Sequence, residues 1–170
     1  KSATIISIAI GQGELLSTPL QIANLAALIA NKGYYYTPHL VKKVGDDLVD
    51  KTYRTPHKVD IDEKYFDVAI EGMHRVVKKG TARYGKIPGI EFCGKTGTAQ
   101  NPHGEDHSIF MAFAPKDNPK IAISVYVENS GFGATWAVPI ASLMIEKYLN
   151  REIDPSRLQI EKNMMEKSFY

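Results

Sequence analysis

The sequence is poor in cysteine, in long apolar runs and in net charge. Its 170 residues include a single cysteine, Cys93, so an internal disulfide is excluded and cysteine usage does not identify the redox compartment. No apolar run approaches the length that spans a membrane, and we expect no signal peptide within these residues, which describes this chain only. With 21 Lys and Arg against 19 Asp and Glu, the net charge of +2 is too small to indicate nucleic acid or an acidic membrane as a partner.

The composition and the ends of the chain limit its organisation. Hydrophobic residues make up 44% and charged residues 24%, which is ordinary for a soluble globular protein with one core. We expect one domain over residues 1–150 and a charged tail over residues 151–170, mobile or loosely docked, with a short helix after Asp154-Pro155. Lys1 in place of an initiator methionine predicts that the chain begins at an internal cut.

Three segments show the apolar spacing and the end signals of helices. The first has Pro19 at its first position, and the third lasts about three turns. The first helix is predicted to be capped by Ser17 or Thr18 and to end at Gly33. The second is predicted to be capped by Asp60 or Asp62 and to end before Gly80. The third is predicted to start near Trp136 or Pro139. The predicted core face of the third helix consists of Ile140, Leu143, Met144 and Tyr148.

Strands are indicated by shorter apolar runs between turn residues. Residues 108–114 and 121–127 flank a proline-containing turn and predict an antiparallel hairpin that is covered on both faces. Residues 40–53 predict a smaller hairpin, and residues 89–92 predict a strand-like run. Residues 5–10 are apolar up to a Gly-Gln-Gly break, which predicts a short buried segment that ends in a turn.

Most of the chemistry is concentrated in residues 93–100, Cys-Gly-Lys-Thr-Gly-Thr-Ala-Gln. In a strand, residues two apart share a face, so we expect Thr96 and Thr98 to point the same way. Gly97 has no Cβ and lets a ligand lie close to the main chain, while the long stem of Lys95 brings its ammonium round the strand edge. Such a stretch is suited to hold a carboxylate while a backbone N–H polarises a nearby carbonyl.

Three other candidates favour structural interpretations. The histidines and acids of residues 101–107 lie in one loop, which favours a solvated turn over a metal site, and we expect no metal or other cofactor. His74 has no ligand partner three or four residues later and is interpreted as structural. Cys93 is expected on the same strand face as Lys95, whose ammonium would lower the pKa of the thiol. A thiolate nucleophile is therefore an alternative, but a buried structural thiol is favoured.

Several motifs, taken in order, resemble those of class B penicillin-binding proteins. The Lys-Thr-Gly-Thr run resembles the Lys-Thr-Gly motif that these proteins share with β-lactamases. The other matching stretches are residues 11–13 (Gly-Gln-Gly), 18–21 (Thr-Pro-Leu-Gln), 30–33 (Ala-Asn-Lys-Gly), 80–82 (Gly-Thr-Ala), 107–115 and 127–129. The joint occurrence of these motifs in this order is much more specific than any one motif. The similarity covers roughly residues 7–149, nearly the whole chain, and is greatest to the elongation-type members.

The resemblance implies an α/β protein of the α+β type, the C-terminal portion of the β-lactamase/transpeptidase-like fold. In that fold a mainly antiparallel sheet is covered by helices on both faces. It also implies a peptidoglycan D,D-transpeptidase that forms an acyl-serine from D-Ala-D-Ala stem peptides in cell-wall elongation and is acylated by β-lactams. For the full-length protein it implies a membrane anchor, an elongation complex and the periplasmic face of the bacterial inner membrane, with no nucleic acid as partner.

The same resemblance implies roles for four residues. Thr96, Gly97 and Thr98 would bind the substrate and its terminal carboxylate, and the Thr98 N–H would form part of the oxyanion hole. Lys95 would add positive potential and support proton transfer, so Lys95 and Thr98 are the catalytic candidates.

The sequence departs from the family at the nucleophile. No serine is followed by lysine three residues later, and the second motif, Ser-x-Asn, is absent. We therefore expect the C-terminal part of a transpeptidase domain that is inactive alone and whose open sheet edge and apolar surface favour self-association. The alternatives are a carboxypeptidase or β-lactamase-related hydrolase, and a non-catalytic interaction module with the same fold.

Overall fold

The computed structural model describes residues 2–166, in which helices and short strands precede a three-stranded sheet. The helices are Ser2–Ala9 (α1), Pro19–Ala30 (α2), Lys51–Arg54 (α3), Glu63–Lys79 (α4), Ala137–Asn150 (α5) and Leu158–Glu166 (α6). The strands are Tyr34–Tyr35 (β1), Lys43–Val44 (β2), Asp47–Leu48 (β3), His57–Lys58 (β4), Cys93–Ala99 (β5), His107–Ala114 (β6) and Ile121–Val127 (β7). No helix within this range has the length and apolarity to cross a membrane.

β5, β6 and β7 form an antiparallel sheet with β6 in the centre. The register places Thr96 opposite Phe110 and Thr98 opposite Ser108 across β5 and β6. The predicted hairpin of β6 and β7 is confirmed, and so is the smaller hairpin, which is shortened to β2 and β3. β5 and β7 are therefore the two edges of the sheet.

The strand that carries the Lys-Thr-Gly-Thr run begins at Cys93, so the prediction of a strand over residues 89–92 is wrong. Gly89 has a φ of +71°, and Ile87 bridges to Ile90. The backbone therefore turns tightly at Gly89, and the apolar residues that follow lead into the strand without pairing to β6.

Helices cover both faces of the sheet. On one face, Phe110 and Ile123 pack in a core cluster with Val138 of α5. On the other face, Phe113 packs with Met73 of α4 and with side chains of α2. Because successive side chains of β6 point to opposite faces, this one strand contributes to both cores. The predicted α/β architecture, an antiparallel sheet between helical layers, is confirmed.

Two helices begin where the local capping signals predict. The Thr18 hydroxyl accepts the Gln21 N–H at 3.3 Å, and the Gln21 carboxamide accepts the Thr18 N–H at 2.8 Å. This reciprocal pair is a capping box, and Pro19 occupies the first helical position of α2. Asp62 caps α4 by accepting the Lys64 N–H at 3.2 Å.

The predicted burial of residues 5–10 is wrong. They lie in α1 and directly after it, with Ile5 67% exposed and Ile10 71% exposed. An apolar helix face is buried only where another surface meets it, and none of residues 2–166 covers this one. The predicted turn is confirmed at Gly11 and Gly13, whose φ values of +77° and +85° favour glycine. The exposed apolar surface is the kind that favours association, and self-association stays a prediction.

The predicted core face of α5 is wrong in part. Leu143 is buried, but Met144 is 53% exposed and Tyr148 is 48% exposed. The buried face instead contains Ser142 and Glu146 beside several small side chains. A hydrophobic pattern does not place a glutamate in a core, because its burial depends on a cation that comes from elsewhere in the chain.

That cation is Arg157, which lies in the 3₁₀ turn Pro155–Arg157 between α5 and α6. Its guanidinium donates to the Glu146 carboxylate and, at 2.6 Å, to Ser142 Oγ. The expected helix after Asp154-Pro155 is confirmed, but loose docking of this segment is wrong because Arg157 is only 4% exposed. Residues 167–170 of the predicted tail lie outside the described residues, and the division at residue 150 stays a prediction.

Candidate functional site

The Lys-Thr-Gly-Thr run lies on β5, whose outer side has no strand partner within residues 2–166. The Thr98 carbonyl accepts a hydrogen bond from Gln12 Nε2 at 3.0 Å, and the Thr96 carbonyl accepts one from Lys95 Nζ at 2.7 Å. Both carbonyls therefore point away from β6. Since the N–H and C=O of a strand residue point to the same side, the N–H groups of Thr96 and Thr98 also face this open edge.

The side chains of the run divide between the two faces of the sheet. Thr96 and Thr98 lie opposite Phe110 and Ser108, which puts both hydroxyls on the face that α5 covers. This confirms that the two threonines point the same way. Lys95 starts on the opposite face, yet its Nζ reaches the Thr96 carbonyl at the open edge, as its long stem predicts.

The two hydroxyls differ in their surroundings. Thr96 Oγ1 is 2.9 Å from Thr81 Oγ1, so it is tied to the loop that follows α4. Thr98 Oγ1 has no protein partner among residues 2–166 and belongs to a half-buried side chain. A hydroxyl without a protein partner at an open strand edge is available to bind a ligand.

Three glycines shape this strand, each in a different way. A Cβ on Gly94 would lie 2.2 Å from the Phe110 ring, so packing requires glycine there. A Cβ on Gly97 would meet Ile109 at 3.4 Å, which is an ordinary contact, so packing does not require glycine at this position. Gly133 brings its loop over the strand, since a Cβ would lie 2.5 Å from the Gly97 and Ile109 carbonyl oxygens.

A groove of about 570 Å³ continues from the end of β5. It is lined by Ser7, Gln12, Gly13, Gln100, Asn101, Pro102 and Asp106. The Asp106 carboxylate accepts the Asn101 N–H at 3.1 Å, and Asn101 Nδ2 donates to Asn129 Oδ1 at 2.6 Å. These bonds hold the polar loop together. Within residues 2–166, no three His, Cys, Asp or Glu side chains are grouped so that they could hold a metal ion.

Cys93 is a buried structural thiol, as favoured from the sequence. Its side chain is fully buried, and Sγ donates to the Ile70 carbonyl at 3.5 Å. Burial raises the pKa of this thiol to about 12. The thiolate alternative is wrong, because a nucleophilic cysteine needs an accessible sulfur and a lowered pKa.

His74 also has a structural setting. It is 7% exposed, with Nε2 3.6 Å from a Glu91 carboxylate oxygen and Nδ1 3.3 Å from Lys116 Nζ. Arg75 and Lys116 both donate to Glu71, and these bonds lower the pKa of its carboxyl to about 2. The group joins α4 to the turn after β6 through the Lys116–Glu71 hydrogen bond of 3.2 Å.

Comparison with known families agrees with this geometry. A family model described as the penicillin-binding protein transpeptidase domain matches residues 2–146. The chain belongs to this family.

Two curated relatives illustrate the similarity of this chain to the family. The peptidoglycan D,D-transpeptidase MrdA of Haemophilus influenzae is 35% identical over 179 aligned positions, which cover 92% of this chain and 27% of the relative. The peptidoglycan D,D-transpeptidase PbpA of Mycobacterium tuberculosis is 35% identical over 89% of this chain and 33% of its own length. The chain therefore spans about a quarter to a third of the length of the curated relatives it matches.

Solved structures show the same relationship. Pseudomonas aeruginosa PBP2 in complex with WCK 5153 superposes with a TM-score of 0.79 at 32% identity, covering 92% of this chain and 35% of that one. The imipenem acyl-enzyme complex of penicillin-binding protein A from M. tuberculosis superposes with a TM-score of 0.74 at 34% identity, covering 88% of this chain and 34% of that one. The predicted family and transpeptidase-like fold are thus confirmed.

Sequence reasoning missed one residue at the open edge, Gln12. Its contact with Thr98 joins positions 86 residues apart, and no spacing rule connects them. The signal that was present is the pair of glycines around Gln12, which marks a turn held in an unusual backbone conformation.

Proposed function

We propose that the complete protein is a peptidoglycan D,D-transpeptidase of cell-wall elongation and that β5 is the substrate-binding edge of its active site. The observation that carries this proposal is the unpaired side of β5, where two backbone N–H groups, a threonine hydroxyl and a lysine ammonium lie together. The curated relatives support it, since they are named peptidoglycan D,D-transpeptidases.

In this proposal the terminal carboxylate of a D-Ala-D-Ala stem peptide lies against the threonine hydroxyls. Thr98 Oγ1 donates to one carboxylate oxygen, and Thr96 contributes the second hydroxyl. Hydrogen bonds to a charged group of this kind stabilise a complex by about 1.5–3 kcal/mol each. Lys95 Nζ, already at the edge, adds positive potential beside the carboxylate, and Gly97 leaves the backbone between the threonines open to the ligand.

The reaction has two steps. A serine hydroxyl supplied from outside these 170 residues attacks the carbonyl carbon of the penultimate D-Ala. The C–N bond breaks, the terminal D-Ala leaves with the proton on its amine, and an amine of a neighbouring stem then displaces the serine from the ester. The Thr98 N–H donates to the oxygen that becomes negative in each step, a contribution on the order of 3 kcal/mol for such donors.

β-Lactams are the second ligand class in this proposal. Their strained amide presents a carbonyl and a nearby carboxylate, which are the two groups that the edge of β5 is built to receive. The similar penicillin-binding protein A of M. tuberculosis, solved as an imipenem acyl-enzyme complex, supports the extension to this protein.

The experiment measures acylation of the complete protein by a fluorescent penicillin. Thr98→Val keeps the shape of the side chain and removes the hydroxyl, so we expect the acylation rate to fall about ten- to a hundredfold. Thr55→Val is the matched control, because it makes the same change at the end of α3, where the hydroxyl donates to the Lys51 carbonyl at 2.9 Å. We expect no change for Thr55→Val, and equal rates for all three proteins would refute the role of Thr98.

The same assay separates the alternatives. The 170-residue chain alone has no Ser-x-x-Lys sequence and is expected to stay unlabelled. A hydrolase would release the label within minutes, whereas a transpeptidase retains it. A non-catalytic interaction module would leave the complete protein unlabelled. For the complete protein we also propose anchoring at the periplasmic face of the inner membrane and membership of a cell-wall elongation complex.

A further inference from the structure

The outward carbonyl of Thr98 already accepts a hydrogen bond, which Gln12 Nε2 donates at 3.0 Å. Gln12 sits between Gly11 and Gly13, both in the left-handed region of φ, and its N–H donates to the Ser7 carbonyl at 2.9 Å. The backbone of the turn is therefore held by α1, while the carboxamide extends across to the strand.

An extended peptide binds an open strand edge by adding a further strand. In such a pairing the peptide presents its own N–H to each outward carbonyl of the edge. The donor that Gln12 places on Thr98 is a carboxamide N–H, which is chemically the same group as the peptide N–H. Both donors use one oxygen on one side of β5, so the Gln12 carboxamide stands where the peptide N–H would arrive.

We propose that Gln12 is a displaceable latch on the edge of β5. Its carboxamide covers the Thr98 carbonyl while the site is empty and swings away when an extended ligand brings its own N–H to that oxygen. This inference rests on the proposed function of β5 as the substrate-binding edge. Among the residues that the structure describes, one hydrogen bond between neutral groups holds the Gln12 carboxamide on the strand. A bond of that kind is weak enough for a ligand to replace.

The test uses the complete protein and two β-lactam probes. One probe carries an amide N–H next to its reacting carbonyl, and the other lacks that N–H. Second-order acylation rate constants are measured for wild type, Gln12→Ala and Gln12→Glu, since a carboxylate cannot donate to the Thr98 carbonyl and Gln12→Glu keeps the size of the side chain. Gln100→Glu is the control for added charge, because Gln100 lines the same groove.

We expect Gln12→Ala and Gln12→Glu to raise the rate constant for the amide-bearing probe about two- to tenfold relative to the other probe. Gln100→Glu is expected to leave the ratio between the probes unchanged. An unchanged or lowered ratio in both Gln12 variants overturns the latch. Failure of the wild-type protein to be acylated at all is a different result, because it overturns the proposed function and not the latch alone.

Discussion

Arg157 is expected to hold the last described helix on the domain through a buried ion pair. Its side chain is 4% exposed, and Glu146, which accepts its hydrogen bond, is fully buried. The second Glu146 oxygen accepts the Asp154 N–H at 3.1 Å, so the carboxylate organises the turn before α6 as well. Arg157→Met keeps an unbranched, flexible apolar side chain and removes the guanidinium with its charge.

The cost of Arg157→Met follows from what is left behind. Glu146 would remain in the core without its cation, and removing one partner of a buried ion pair costs about 3–5 kcal/mol. A domain of this size has a free energy of unfolding of about 5–15 kcal/mol, so this loss is a large share. Adding Glu146→Leu removes the unpaired charge and is expected to recover at least about 2 kcal/mol.

Urea unfolding of the wild-type chain and the variants measures these free energies. The control is Lys162→Met, which breaks the exposed pair of Lys162 with Glu166 in α6, 3.8 Å apart, and is expected to cost under about 1 kcal/mol. The reasoning is refuted if Arg157→Met costs no more than Lys162→Met, or if the double variant is less stable than Arg157→Met alone.

Three further outcomes are expected. Gly94→Ala forces the new Cβ against the buried Phe110 ring, 2.2 Å away, and should cost about 1–3 kcal/mol in urea unfolding; an unchanged midpoint would contradict this. Cys93, with its pKa raised to about 12, should react with iodoacetamide at pH 8 only after unfolding, and fast labelling of the folded chain would contradict its burial. The pKa of the Glu71 carboxyl is lowered from its ordinary 4.5 to about 2 in the fold. The ionised carboxylate therefore stabilises the fold above pH 4.5, and this contribution is lost as the pH falls towards 2. Lys116→Met should raise that pKa in an NMR titration of the carboxyl carbon, and an unchanged value would refute the role of Lys116.

The sequence predicted well those parts of the fold that depend on contacts between residues close together in the chain. The starts of α2 and α4 follow from Thr18 with Gln21 and from Asp62, each of which bonds to a backbone N–H a few residues away. The hairpin of β6 and β7 follows from two apolar runs and a short turn. In each case the interacting groups are close in sequence, so the pattern contains the whole cause.

The errors about the faces of α1 and α5 have a common origin, because burial depends on contacts between different segments of the chain. The exposed face of α1 cannot be read from its isoleucines, because burial depends on a surface that meets the helix. The core face of α5 depends on Arg157, which lies 11 residues from Glu146 and satisfies a carboxylate that a hydrophobic pattern assigns to solvent. A pattern of apolar residues shows which side chains gain by burial but not which of them find a partner.

The candidate site on β5 contains one contact that the sequence predicts and one that it does not. A strand edge that binds a peptide has to keep its N–H and C=O groups unpaired, and unpaired edges also invite pairing with other chains. In this chain side chains reconcile the two demands, since Lys95 covers the Thr96 carbonyl and Gln12 covers the Thr98 carbonyl. The first cover is visible in the Lys-Thr-Gly-Thr run, because a lysine next to its own edge reaches the adjacent carbonyl. The second becomes visible only when the fold brings the Gly-Gln-Gly turn to the strand. In the function we propose, this cover leaves the N–H groups of Thr96 and Thr98 to the ligand and protects the Thr98 carbonyl that the ligand later needs.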